Sequence, residues 1–192
     1  MEFRDTAIPG VCEALLQRNE DERGYFARTW CAREFSARGL PAHWVQSSVS
    51  HNARQGTLRG LHFQWPPSSE AKLVRCEQGS VHDIALDLRP GSPSFLEHVA
   101  VVLESGRGNA LFIPPGVAHG FQVLAGDTRV LYLMSDFHAP ELADGVRFDD
   151  PAFGIAWPLP VSVIAARDRD YPDFDLAAHV ARMAAAAPRE QR

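Results

Sequence analysis

A succession of short alternating segments, recurring at roughly 8–12-residue intervals between Gly and Pro turns, most constrains how this chain can fold. In VHDIALDL, His82, Ile84, Leu86 and Leu88 fall on one side, and Asp83 and Asp87 on the other. PGSPSF then makes a turn and HVAVVL another strand. ALFIPPGVAHGF gives a strand, a Pro-Pro-Gly turn and a strand carrying His119. TRVLYLM puts Val130, Tyr132 and Met134 on one face. Such a chain folds as an antiparallel sandwich or barrel. Helix is expected in AREFSARG (32–39), ended by Gly39 with Pro41 beyond, and over 174–187. Residues 1–20 read as one short strand and a loop turning at Pro9-Gly10. No linker divides the sequence, so residues 1–192 are read as a single domain, long enough for a sizeable core.

Composition narrows the function classes. The net charge is −5 with cations dispersed along the chain, which speaks against a nucleic-acid binder. Cys12, Cys31 and Cys76 have no paired spacing, as expected of reduced thiols in a cytoplasmic protein. Neither a signal-peptide core nor a run of membrane-spanning length is present, so no membrane partner is expected.

The chemistry concentrates between Gly56 and Gly79, in GTLRGLHFQWPPSSEAKLVRCEQG. Strict alternation puts Thr57, Arg59 and Leu61 on one face, and Leu58, Gly60 and His62 on the other. Gly60 lets another group approach the backbone closely. Pro66-Pro67 ends the strand, and Lys72 and Val74 restart the pattern. Taken singly, these are a half-buried histidine and two solvated cations; joined by one loop, two such strands can bring Arg59, His62 and Lys72 to one cavity. Upstream, Gln46, Ser48 and Ser50 share a face, either turned to solvent or lining a polar cavity. A histidine with an ordinary pKa near 6.5 is the default base at neutral pH. Such a base removes only a carbon-bound proton that is already acidified, typically one beside a ketone. Lys72 is then a suitable fixed cation for the enolate. Sequence alone does not identify the carboxylate that orients His62.

The order DERGYF, GTLRGLH, AKLV, VHDIALDLRPGSPSF, PPGVAHGFQVL, YLMSDFHAPE and DDPAFGIAWP resembles the dTDP-4-dehydrorhamnose 3,5-epimerase family, cupin-type sugar-nucleotide epimerases, over about four-fifths of the chain. The resemblance implies an all-β cupin jelly-roll (double-stranded β-helix) barrel with short peripheral and C-terminal helices, assembled as a homodimer. It implies cofactor-independent epimerisation at C3 and C5 of a nucleotide-linked 4-keto-6-deoxyhexose, of the dTDP-4-dehydro-6-deoxyglucose to dTDP-4-dehydrorhamnose type. The alternatives are a C3-only epimerase and a non-catalytic sugar-nucleotide-binding cupin; the joint presence of His62, Lys72, Tyr132 and Asp168 argues against the latter.

The same resemblance assigns roles. Arg167-Asp168 with Pro172 matches the family's closing motif, which makes Asp168 the partner of His62, with Asp170 as the neighbouring alternative. Tyr132 matches the proton donor. Arg59 and Arg167, with Arg23 from a partner subunit, would grip the diphosphate; Phe26 would lie near the base and Gln46 on the ligand. His119 is either a sugar-pocket residue or a remnant of the second cupin motif. His138 stands where the family usually has Tyr, at the nucleotide end. Many cupins bind a metal through an H-x-H pair, but here the second position is Gln64, and His62 with His119 supply only two ligands. No metal and no cofactor are therefore expected.

Overall fold

The computed structural model describes residues 1–186. The chain opens with β1 (Glu2–Asp5), β2 (Cys12–Leu15), β3 (Arg18–Asp21), β4 (Gly24–Ala27) and the short helix α1 (Ala32–Ala37). The body follows as β5 (Gln46–Asn52), β6 (Thr57–Gln64), β7 (Lys72–Gln78), β8 (Ser80–Asp87) and β9 (His98–Glu104). It continues as β10 (Ala110–Ile113), β11 (Val117–Val123), β12 (Thr128–Met134) and β13 (Ala143–Gly145). The end comprises β14 (Val163–Ile164), α2 (Ala166–Arg169) and α3 (Leu176–Ala186). The expected C-terminal helix is thus present, residue 187 lying outside the described residues.

Two sheets form the jelly roll. One has the order β1-β2-β10-β7-β12-β5 and the other β13-β6-β11-β8-β9, with β14 added to β6. The N-terminal expectation needs correction: residues 1–21 form three strands, not one. β1 and β3 are almost wholly exposed and rich in charge, so they lack the alternation that marks a half-buried strand. The hairpin β3–β4 stands apart from both sheets.

The interior between the sheets is divided along its length. One end is filled by Val74, Cys76, Val81, Ala85, Leu111, Ile113, Phe121, Val123 and Val130, all buried. Outside the second sheet, Phe63, Trp65, Ile84, Leu86 and Leu88 pack with Phe174 and Met183 from the C-terminal region. Outside the first, Phe35 of α1 is fully buried against Leu73 and Phe112, within edge-to-face reach of Phe3 and Trp44. Apolar packing on both outer faces and at one end of the interior leaves the opposite end to polar residues.

Candidate active site

That polar end is built by register. Tyr132 of β12 lies opposite Ser48 of β5 and Val74 of β7; Met134 lies opposite Gln46 and Lys72. Side chains opposite one another in a ladder share a face. The inner face of the first sheet therefore runs from Cys76 and Val130 in the core to Lys72, Met134 and Gln46 at the mouth, with Tyr132 on the boundary. The opposing wall comes from β6 and β11. β6 and β7, consecutive in sequence, lie in different sheets, which sets Arg59 and His62 across the interior from Lys72.

Strict alternation would separate Arg59 from His62, and here the sequence reading fails for a local reason. His119 pairs with His62, but Phe121 pairs with Arg59, so β6 contains one extra residue at Gly60-Leu61. A bulge shifts the phase of a strand by one, turning Arg59 and His62 to the same side. Gly60 makes this feasible. Its φ is 111°, and a Cβ there would fall 2.5 Å from Gly120 Cα and 2.7 Å from the His119 carbonyl oxygen.

The bulge also creates a histidine–aspartate pair. β14 runs parallel to the start of β6, pairing Val163 with Thr57 and Ile164 with Leu58, and so delivers α2 to the bulge. Asp168 Oδ1 lies 2.7 Å from His62 Nε2, and the Gly60 N–H donates to Asp168 Oδ2 at 3.0 Å. The Asp168 side chain is 6% exposed and that of His62 42%. Burial alone would raise the Asp168 pKa, but the bonds from His62 and Gly60 outweigh it and hold the carboxyl below its ordinary range. Asp170 is exposed and pairs with Arg169.

Beside this pair lies a second one that sequence reasoning missed. His119 Nε2 is 3.0 Å from each carboxylate oxygen of Asp83, whose side chain is fully buried. Burial pushes the Asp83 carboxyl up despite His119. Its only trace in the sequence was an aspartate on the less apolar side of VHDIALDL. Tyr132 packs edge-on against His119, ring centroids 5.9 Å apart, and burial, with the Asp83 charge, drives its hydroxyl pKa upward.

His62, Lys72 and Tyr132 line both lobes of the cleft. The deeper lobe, about 240 Å³, adds Ser50, Arg59, His119, Phe121 and Asp168. The outer lobe, about 430 Å³, adds Gln46, Ser48, Glu70, His138, Asp144 and Arg167 among others. Arg59 donates to Asn52 Oδ1 at 2.8 Å, and Arg167 to the Ala143 carbonyl at 3.3 Å. Gln46 Oε1 accepts the His138 N–H at 2.7 Å. Gln64 is engaged in the same loop, accepting the Ala139 N–H at 2.7 Å. Among the described residues, no group of three or more His, Cys, Asp and Glu could hold a metal ion. Arg23 and Phe26 are not in this cleft: Arg23 pairs with Asp21 on the β3–β4 hairpin, and Phe26 is 76% exposed there. No helix is long and apolar enough to cross a membrane among the described residues.

Comparison with known proteins gives a consistent set of relatives. A family model described as dTDP-4-dehydrorhamnose 3,5-epimerase matches residues 5–175. The enzyme of that name from Pseudomonas aeruginosa is 41% identical over 170 residues, covering 88% of this chain and 93% of its own. The crystal structure of the Elizabethkingia anophelis enzyme superposes with a TM-score of 0.87 at 33% identity, covering 91% of this chain and 96% of that one. A 3'-monoepimerase from Streptomyces bikiniensis, in complex with dTDP-quinovose, has a TM-score of 0.82 at 29% identity, covering 93% and 89%.

Proposed function

Since the chain belongs to the dTDP-4-dehydrorhamnose 3,5-epimerase family and is an isomerase of that type, we propose that it inverts C3 and C5 of a dTDP-linked 4-keto-6-deoxyhexose without metal or cofactor. The observation that carries this reading is the placement of the His62–Asp168 pair on one wall of the cleft and of Tyr132 and Lys72 on the other. Inversion needs a proton removed from one face of a carbon and another returned to the opposite face.

Asp168, held as the carboxylate, accepts the Nε2–H of His62, which leaves Nδ1 with the lone pair that takes the α-proton. Lys72 stabilises the enolate oxygen that forms at C4. Tyr132, its proton held firmly by burial, donates to the carbon from the other wall. Arg59 and Arg167 supply charge-assisted bonds to the diphosphate. Arg23 and Phe26 fit a role at the partner subunit's cleft in a homodimer: both sit on an exposed hairpin outside their own cleft. His138 and Gln46 flank the nucleotide end.

A second reading, epimerisation at C3 alone, is favoured by one observation, the likeness to the Streptomyces bikiniensis 3'-monoepimerase. Incubation with dTDP-4-keto-6-deoxyglucose in heavy water, with a chelator present, separates the two. Deuterium at C3 and C5 is expected; deuterium at C3 only selects the second reading. No incorporation from any 4-keto sugar nucleotide overturns both.

A further inference from the structure

Lys72 is the single lysine of this chain; every other cationic side chain among its 19 lysines and arginines is arginine. Arginine's planar fork suits a diphosphate, whereas lysine is a compact point charge with three N–H donors on a flexible stem. The structure gives this lysine a carboxylate. Glu70 Oε2 lies 3.2 Å from Lys72 Nζ, the two side chains are 8% and 15% exposed, and both line the outer lobe.

The turn that carries Glu70 is tied to the end of β12, the strand of Tyr132. Ser68 Oγ and the Ser69 N–H donate to Asp136 Oδ2 at 3.3 and 3.1 Å. The Glu70 N–H donates to Ser68 Oγ at 3.3 Å, and the Ala71 N–H to Ser135 Oγ at 2.8 Å. The Ser135 N–H returns a bond to the Ala71 carbonyl at 3.0 Å. Arg59 and Arg167 differ. Among the described residues they meet no carboxylate at ion-pair distance; their partners are Asn52 Oδ1, the His51 carbonyl and the Ala143 carbonyl.

We propose that Glu70 is a positioning residue for the reaction, holding the Lys72 ammonium at the sugar end of the cleft and balancing its charge. The uncompensated positive charge that attracts the diphosphate then sits on Arg59 and Arg167. One ammonium N–H is committed to Glu70 and two remain for the oxygen that becomes the enolate. Without Glu70, the ammonium is free to swing toward the diphosphate, the most highly charged group of the ligand. The role of Lys72 here rests on the epimerase reading; the pairing with Glu70 does not.

The full chain with isotope-labelled lysine provides the first arm of the test, because it gives one lysine side-chain signal without any ligand. Restricted motion is expected in the wild type and motional averaging in Glu70→Gln. Steady-state turnover of dTDP-4-keto-6-deoxyglucose is the second arm. Glu70→Gln should lose about 10–100-fold in kcat, as for a misplaced group, with KM unchanged or lower, because a negative charge has left an anion site. Glu70→Asp, which keeps the charge but shortens the reach, should fall between, and it serves alone if Glu70→Gln does not fold. Equal lysine mobility in wild type and variant overturns the proposal, as does a raised KM with unchanged kcat, which would make Glu70 a substrate contact. A wild type inactive on every sugar nucleotide refutes the epimerase reading, while the signal of Lys72 still decides the pairing.

Discussion

Two histidine–aspartate pairs stand side by side on paired strands, and they are the same chemistry in two environments. His62 and His119 face one another in the β6–β11 ladder. The His62–Asp168 pair opens to the cleft, and its carboxyl is held low by two directed hydrogen bonds, one from a backbone N–H that the bulge frees. The His119–Asp83 pair is buried, and its carboxyl is pushed up by desolvation. Burial alone therefore does not make a base. In the proposed mechanism the pair that accepts a substrate proton is the one whose carboxylate is held in its charged form and whose imidazole reaches the cavity.

The largest effect should separate the two imidazoles kinetically. His62→Ala is expected to lower deuterium wash-in by about 10²–10⁴-fold, the size of a general-base contribution. His119→Asn, which keeps a donor for Asp83, should cost less than about tenfold. Equal losses would erase the distinction.

Stability should order the pairs the other way. His119→Ala leaves a fully buried carboxyl without its partner and is expected to cost about 1–3 kcal/mol in urea denaturation. His62→Ala, at a half-exposed ring, should cost less.

The two carboxyls should also give pH dependences of opposite sense. Asp168 has a lowered folded-state pKa, so its contribution to stability is present above the unfolded value, about 3.9, and is lost as pH falls through the folded value. Asp168→Asn should flatten that acid loss. Asp83 has a raised folded-state pKa, so its contribution is full below about pH 3.9 and is lost as pH rises through the folded value. Asp83→Asn should therefore favour stability at pH 7 relative to pH 4. Denaturation midpoints of both variants across pH 3–7 check the signs; parallel curves would mean that the two sites are electrostatically alike.

The smallest effect concerns the mouth of the cleft. His138→Tyr should change the relative affinities for thymidine, guanosine and cytidine diphosphates by up to about tenfold, one stacking contact being worth roughly 0.5–1.5 kcal/mol. An unchanged ranking would place His138 outside the nucleotide pocket.

Much of this was legible in the sequence because period-two alternation reports a half-buried strand directly. The ladders carrying Gln46, Ser48, Tyr132 and Met134 are of that kind. What stayed hidden depends on pairing between distant strands. The extra residue at Gly60-Leu61 has no mark of its own; only the register with β11 exposes it, and without it Arg59 points away from His62. Asp83 meets His119 across 36 residues of sequence, and an aspartate in an alternating strand gives no sign of which face is inward. Glu70 is a different case: it lies only two residues from Lys72, but nothing in the loop sequence shows that the two side chains meet inside the cleft.

In the proposed mechanism His62 and Tyr132 work from opposite walls, one removing the proton and the other returning it. Tyr132→Phe keeps the ring that packs on His119 and the core and removes only the hydroxyl. Its reaction with dTDP-4-keto-6-deoxyglucose in heavy water, read for label and configuration at C3, tests the claim directly. Deuterium incorporation with retained configuration and little inverted sugar is expected, because His62 still forms the enolate and returns the label from its own side. Inversion at the wild-type rate would contradict it.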